Sequence, residues 1–136
     1  MDILLTGSSR GIGAALASSF TQSGHRVLLV SRNVNALQRV AENCNQKAGE
    51  TLAIPIPFDL ADLADLEKEF ISRIREHTET LDALFNNAGQ LISKPFQEIP
   101  VQDARALFEV NFFVPAQLIR ICLPFMEKSS LKHIVN

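Results

Sequence analysis

The segment of this sequence best equipped for chemistry is Thr6-Gly7-Ser8-Ser9-Arg10-Gly11-Ile12-Gly13. It lies between a short apolar run, Ile3-Leu4-Leu5, and a helix-length stretch in which Ile12, Leu16 and Phe20 recur every four residues. A helix that starts there presents unpaired N–H groups and the positive end of its dipole, which together bind phosphate. Gly7 can turn the chain off a strand, Gly11 admits a pyrophosphate close to the backbone, and Gly13 lets helix and strand approach. The chemistry implied is the binding of a nucleotide diphosphate.

A second position refines this. In dinucleotide sites an acid about twenty residues past the glycines binds the ribose 2′-hydroxyl, and such an acid would repel a 2′-phosphate. Here Val27-Leu28-Leu29-Val30 is followed by Ser31-Arg32-Asn33, with no carboxylate. Arg32 offers the fork of donors that phosphate accepts, although arginines are more commonly solvated surface residues. The pattern favours NADP(H) over NAD(H).

These residues need a scaffold that turns strands into helices. Apolar runs alternate with amphipathic helical stretches, the pattern of a parallel sheet covered on both faces. The strands expected are 3–6, 27–30, 52–58, 83–85 and 133–135. The helices expected follow Gly11, run from Val34 to Lys47, run from an Asp62 cap to about Glu79, and run from Val101 to Met126. In the third helix Leu63, Leu66, Phe70, Ile71 and Ile74 should face inward. Pro55 and Pro57 cannot donate to a ladder, which puts their strand at an edge. Right-handed crossovers then give an α/β, Rossmann-type doubly wound parallel sheet of order 3-2-1-4-5, a single unit over residues 1–136.

The glycine spacing T-G-x-x-x-G-I-G, with Asn86-Asn87-Ala88-Gly89 after the fourth strand, resembles the short-chain dehydrogenase/reductase family over the whole chain. The extended branch of that family, with T-G-x-x-G-x-x-G, fits less well. The resemblance implies cofactor contacts from Gly7, Ser9, Arg10, Gly11, Ile12, Gly13, Ser31, Arg32, Asn33, Asp59, Leu60, Asn87, Ala88 and Gly89. Asp59 would meet the adenine amino group, though its place also suits a turn-capping aspartate. Residues 86–89 would lie by the cofactor ribose, and Arg10 would join Arg32 at the phosphate. Asn111 matches the asparagine of the family's Asn-Ser-Tyr-Lys catalytic set. Pro115 lacks the N–H that would bond the Asn111 carbonyl, which could then hold a water; an ordinary proline kink is the alternative.

What the resemblance requires next is absent. The family's tyrosine acts as general acid or base, with a lysine lowering its pKa and a serine polarising the substrate carbonyl. This sequence contains no tyrosine, and Ser129, Ser130, Lys128 and Lys132 fall before the last strand. The sheet is therefore expected to be truncated after its fifth strand, leaving an open edge and a long helix with uncovered apolar residues. One reading is the N-terminal portion of an enzyme reducing a small-molecule carbonyl or oxidising an alcohol, homo-oligomeric through the long helix and inactive as these 136 residues alone. Others are a non-catalytic nucleotide-binding fragment, or an interaction protein using the open edge.

Composition narrows the remaining classes. Of the 136 residues 46% are hydrophobic and 21% charged, enough apolar material for a core. A net charge of −2 and a pI near 5.9 lack the clustered cations of a nucleic-acid surface. No apolar run approaches the ~20 residues of a bilayer span. Cys44 and Cys122, with three scattered histidines, show no metal spacing. A cytoplasmic setting is expected, with neither nucleic acid nor membrane as partner.

Overall fold

In a computed structural model, residues 1–64 and 67–136 are described. Strand β1 (Asp2–Thr6) is followed by helix α1 (Gly11–Gln22), β2 (Arg26–Ser31), α2 (Val34–Ala48) and β3 (Ala53–Pro57). Then come a 3₁₀ turn (Leu60–Asp62), α3 (Glu67–Arg75) and β4 (Ala83–Phe85). After a loop carrying a second 3₁₀ turn, Phe96–Glu98, the chain forms α4 (Val101–Phe108), a π-helical segment (Glu109–Phe113), α5 (Val114–Met126) and β5 (His133–Val135).

All pairings are parallel, in the order β3-β2-β1-β4-β5, as the alternation requires. Alternate side chains of the central strands serve opposite faces. Ile3, Leu5, Val27 and Leu29 pack with Leu37, Ala41 and Cys44 of α2 and Ala17 of α1. Leu4, Leu28, Val30 and Leu84 pack instead with Phe70 and Ile74 of α3 and with Leu118, Ile121, Cys122 and Phe125 of α5. That division explains why the strands are continuous apolar runs. Pro55 and Pro57 lie on β3, whose only partner strand among the described residues is β2, so each proline sits on an edge.

The structure adds the packing face of α1 and corrects two expectations. The inward line of α1 is Gly13, Ala17 and Thr21, while Ile12 is 74% exposed and Leu16 and Phe20 are only partly buried. The helix lies so close to β1 that only small residues fit beneath it. Among the described residues Asp62 caps no helix: Asp59 caps the 3₁₀ turn by accepting from the Ala61 N–H, and α3 closes at Arg75 rather than near Glu79. Of its expected inward residues, Leu63, Phe70 and Ile74 are buried and Ile71 is partly buried, whereas Leu66 lies outside the described residues.

The long helix is interrupted. The Val114 N–H donates to the Glu109 carbonyl five residues back, so one extra residue is accommodated just before Pro115. Taken across the interruption, Val101–Met126 is 26 residues with a mean hydropathy of 1.5, long and apolar enough by those measures to cross a membrane. A search for uninterrupted apolar runs passes over it because Asp103, Arg105, Glu109 and Arg120 divide it. Its inward residues, Val114, Leu118, Ile121, Cys122, Phe125 and Met126, are buried against the sheet.

Candidate dinucleotide site

The C-terminal ends of β1, β2 and β4 converge on the glycine loop. Gly7 has φ +66°, and a Cβ there would stand 2.8 Å from the Ala88 Cα. A Cβ on Gly13 would stand 2.3 Å from the Gly7 carbonyl oxygen. Asn87 locks this contact from the side, its Nδ2 donating to the Thr6 and Gly7 carbonyls at 3.0 and 3.2 Å. The Ala88 N–H donates to Thr6 Oγ1 at 3.0 Å. The two motifs named from the sequence, residues 6–13 and 86–89, therefore build one another.

Gly11 differs. Its φ is +56°, yet a Cβ added there would meet nothing within 4 Å. Space is thus open where the backbone turns into α1. Arg10 is the N-cap residue of α1, and its side chain makes no capping hydrogen bond. The first N–H groups of α1 consequently lack the side-chain cap that helix starts normally recruit, which leaves them for an anion.

The loop after β2 flanks this opening. Ser8 Oγ donates to the Val30 carbonyl at 3.2 Å, and Ser31 Oγ donates to Ser9 Oγ at 2.9 Å, so two hydroxyls meet where an NAD-type site would hold an acid. Arg10 and Arg32 are both exposed, and Arg32 lies 4.0 Å from Asp59 at the end of β3. Asn33 is the cap of α2, accepting from the Ala36 N–H at 3.0 Å. The Leu60 side chain belongs to the core, leaving only its backbone toward this face.

On the far side of β4, Asn111 sits within the π segment and is exposed, not buried as a proline-kink residue would be. Its side chain engages one backbone residue at both ends: Oδ1 accepts from the Gln90 N–H and Nδ2 donates to the Gln90 carbonyl, both at 2.9 Å. This clamp holds the chain just beyond Gly89. The spacing of Asn111 and Gln90 carried no sequence signal for it. Below lies a cleft of about 340 Å³ lined by Asn86, Ala88, Asn111, Phe112, Pro115, Ala116, Ile119 and Asn136. Asn86 Nδ2 donates to Asn136 Oδ1 there at 2.7 Å, and Asn86 Oδ1 is buried without a partner among the described residues.

The profile of the short chain dehydrogenase family matches residues 2–136. The chain belongs to the short-chain dehydrogenase family. The 11-beta-hydroxysteroid dehydrogenase-like 2 protein of Arabidopsis thaliana is 34% identical over 134 residues, covering 98% of this chain and 43% of its own length. The ketoacyl reductase HetN of a Nostoc strain is 33% identical, over 98% of this chain and 46% of its own. Among solved structures, a short-chain dehydrogenase of Sphingobium yanoikuyae in complex with NADPH superimposes with a TM-score of 0.85 at 30% identity, over 99% of this chain and 52% of its own. An alcohol dehydrogenase from the archaeon Thermococcus sibiricus, complexed with 5-hydroxy-NADP, gives 0.88 at 25% identity, over 98% and 56%. The chain spans about half the length of the curated relatives it matches.

Proposed function

We propose that residues 1–136 form one dinucleotide-binding unit that takes NADP(H) in preference to NAD(H), within an oxidoreductase acting on a small carbonyl or alcohol. The observation that carries this is the uncapped start of α1, reached through a glycine loop that Asn87 and Ala88 hold in place. The open space at Gly11 admits a diphosphate, and the backbone N–H groups of α1 would bind it. Arg10 and Arg32 would bind the 2′-phosphate, with the hydroxyls of Ser9 and Ser31 between them. Asp59 would accept from the adenine amino group, while Ala88 and Gly89 would line the ribose. Relatives crystallised with NADPH and 5-hydroxy-NADP support the choice of cofactor.

When bound, a nicotinamide would supply hydride-transfer chemistry between a carbonyl and an alcohol. This chain's part is to position that ring at the cleft by Asn111. Asn111 acts there through the clamp on Gln90, and its own carbonyl next to Pro115 would hold a water of the proton path. The free cysteines fit the reducing cytoplasm. The exposed Phe108, Phe112 and Phe113 suit an interface between copies in the complete protein.

A second reading is a unit that binds the dinucleotide without turnover, and the lack of any tyrosine among the 136 residues favours it for the chain by itself. Fluorescence titration with NADPH and NADH tests the common part. Binding of NADPH well ahead of NADH, with the order reversed in Arg32→Asp, is the expected result. NADPH affinity unchanged by that substitution would defeat the cofactor assignment, and binding of neither nucleotide would defeat the site. A carbonyl-reductase assay on the same sample separates the two readings.

A further inference from the structure

Arg32, the cation assigned above to the 2′-phosphate, does not stand alone. Asp59 Oδ2 lies 4.0 Å from Arg32 Nη1, beyond hydrogen-bonding distance, so the guanidinium keeps its donors while a negative charge stays beside it. That charge is positioned by local contacts. Asp59 Oδ1 accepts from the Ala61 N–H at 3.1 Å, and the neighbouring Phe58 and Leu60 side chains are buried in the core. The ends of β2 and β3 are also tied together, since the Phe58 N–H donates to the Ser31 carbonyl at 3.1 Å. Asp59 is thus kept beside Arg32 by its backbone position and by one hydrogen bond to the Ala61 N–H.

We propose that Asp59 limits how strongly the protein discriminates a phosphorylated from an unphosphorylated ribose, by keeping a carboxylate next to the phosphate-binding arginine. This rests on the cofactor reading above. A 2′-phosphate carries about −1.5 to −2 charges near neutral pH. It must approach Arg32 against the Asp59 carboxylate and displace whatever attraction that carboxylate exerts on the guanidinium. A 2′-hydroxyl carries no charge and meets neither obstacle. The carboxylate thus weakens NADPH binding selectively, and its removal should widen the gap between the two cofactors.

The test is Asp59→Asn in the purified protein, with NADPH and NADH dissociation constants measured at low and high salt. Asparagine keeps an oxygen for the Ala61 N–H and for an adenine amino group, so only the charge is lost. Exposed pairs of this kind interact weakly, which sets the expected rise in the NADPH-to-NADH affinity ratio at about two- to fivefold. The rise should shrink at 0.5 M salt, where the Debye length falls to about 4 Å. Asp62→Asn, a loss of the same charge on the same turn, should leave the ratio within about twofold. An unchanged or lowered ratio in Asp59→Asn, or an equal rise in Asp62→Asn, would overturn the inference while leaving the wild-type NADPH preference intact. Failure of the wild-type protein to prefer NADPH would remove the cofactor reading itself.

Discussion

Gly13 meets the Gly7 carbonyl so closely that the missing Cβ of Gly13 would lie 2.3 Å from that oxygen. The atom in the way is backbone, and Asn87 Nδ2 stands 2.7 Å from the same point. Gly13→Ala must therefore push α1 off β1 or break the Asn87 bonds. The expected cost is that of overpacking, about 1–3 kcal/mol, read as a lowered urea midpoint. Gly11→Ala is the contrast: its φ of +56° strains an alanine by about 1–2 kcal/mol, with no clash. The distinguishing measurement is nucleotide affinity at matched folded fraction, which Gly11→Ala should weaken because its new methyl occupies the opening. Equal affinities in Gly11→Ala and wild type would show that the opening does not receive the diphosphate.

Much of this was legible in advance, because strand order and edge assignment follow from apolar runs and from two prolines. The glycine loop was likewise readable, since its spacing is dictated by backbone geometry. What the sequence hid were contacts between residues far apart in the chain. Nothing local to Asn111 announces Gln90, 21 positions away, and nothing local to Asp59 announces Arg32. The packing face of α1 was hidden for a related reason. Ile12, Leu16 and Phe20 share a face, whereas the close approach to β1 buries Gly13 and Ala17, one position further along.

The Asn111 clamp predicts a local rather than a global effect. Asn111→Ala removes two hydrogen bonds from an exposed segment, so stability should fall by no more than about 1 kcal/mol per bond. Hydrogen exchange at the Gln90 amide should instead accelerate markedly, with the β1 and β2 amides unaffected. Unaltered exchange at Gln90 would mean the clamp is not formed in solution.

At the opposite end of the sheet, Ser129 Oγ donates to Asp82 Oδ1 at 2.5 Å, and the Asp2 N–H donates to the other oxygen at 2.7 Å. The hydrogen bond from Ser129 is the main cause holding the Asp82 carboxyl below its usual range. A depressed carboxyl stabilises the fold above its unfolded pKa of about 3.9, and that contribution disappears as pH falls through the lower folded value. Ser129→Ala should therefore lower thermal stability at pH 6–7 and narrow the gap to wild type on acidification below about pH 3. A difference that does not depend on pH would assign the effect to packing alone.

Cys122 is fully enclosed by the α5 core, and burial pushes its thiol up to about 12. Since the thiolate is the nucleophile, the native chain should resist a disulfide exchange reagent at pH 8. Cys44 is also buried, with its thiol raised chiefly by desolvation, so it too should react more slowly in the folded chain than on unfolding. The same shift acts on stability: the folded state keeps the thiol neutral, so protection persists below the unfolded pKa near 8.5 and is lost progressively as pH climbs toward the folded value. Cys122→Ser tests both effects, because the hydroxyl does not titrate in that range. The variant should lose one reactive group under denaturant and show a flatter stability profile between pH 9 and 11. Rapid modification of Cys122 in the native chain would instead mean that α5 opens readily from the sheet.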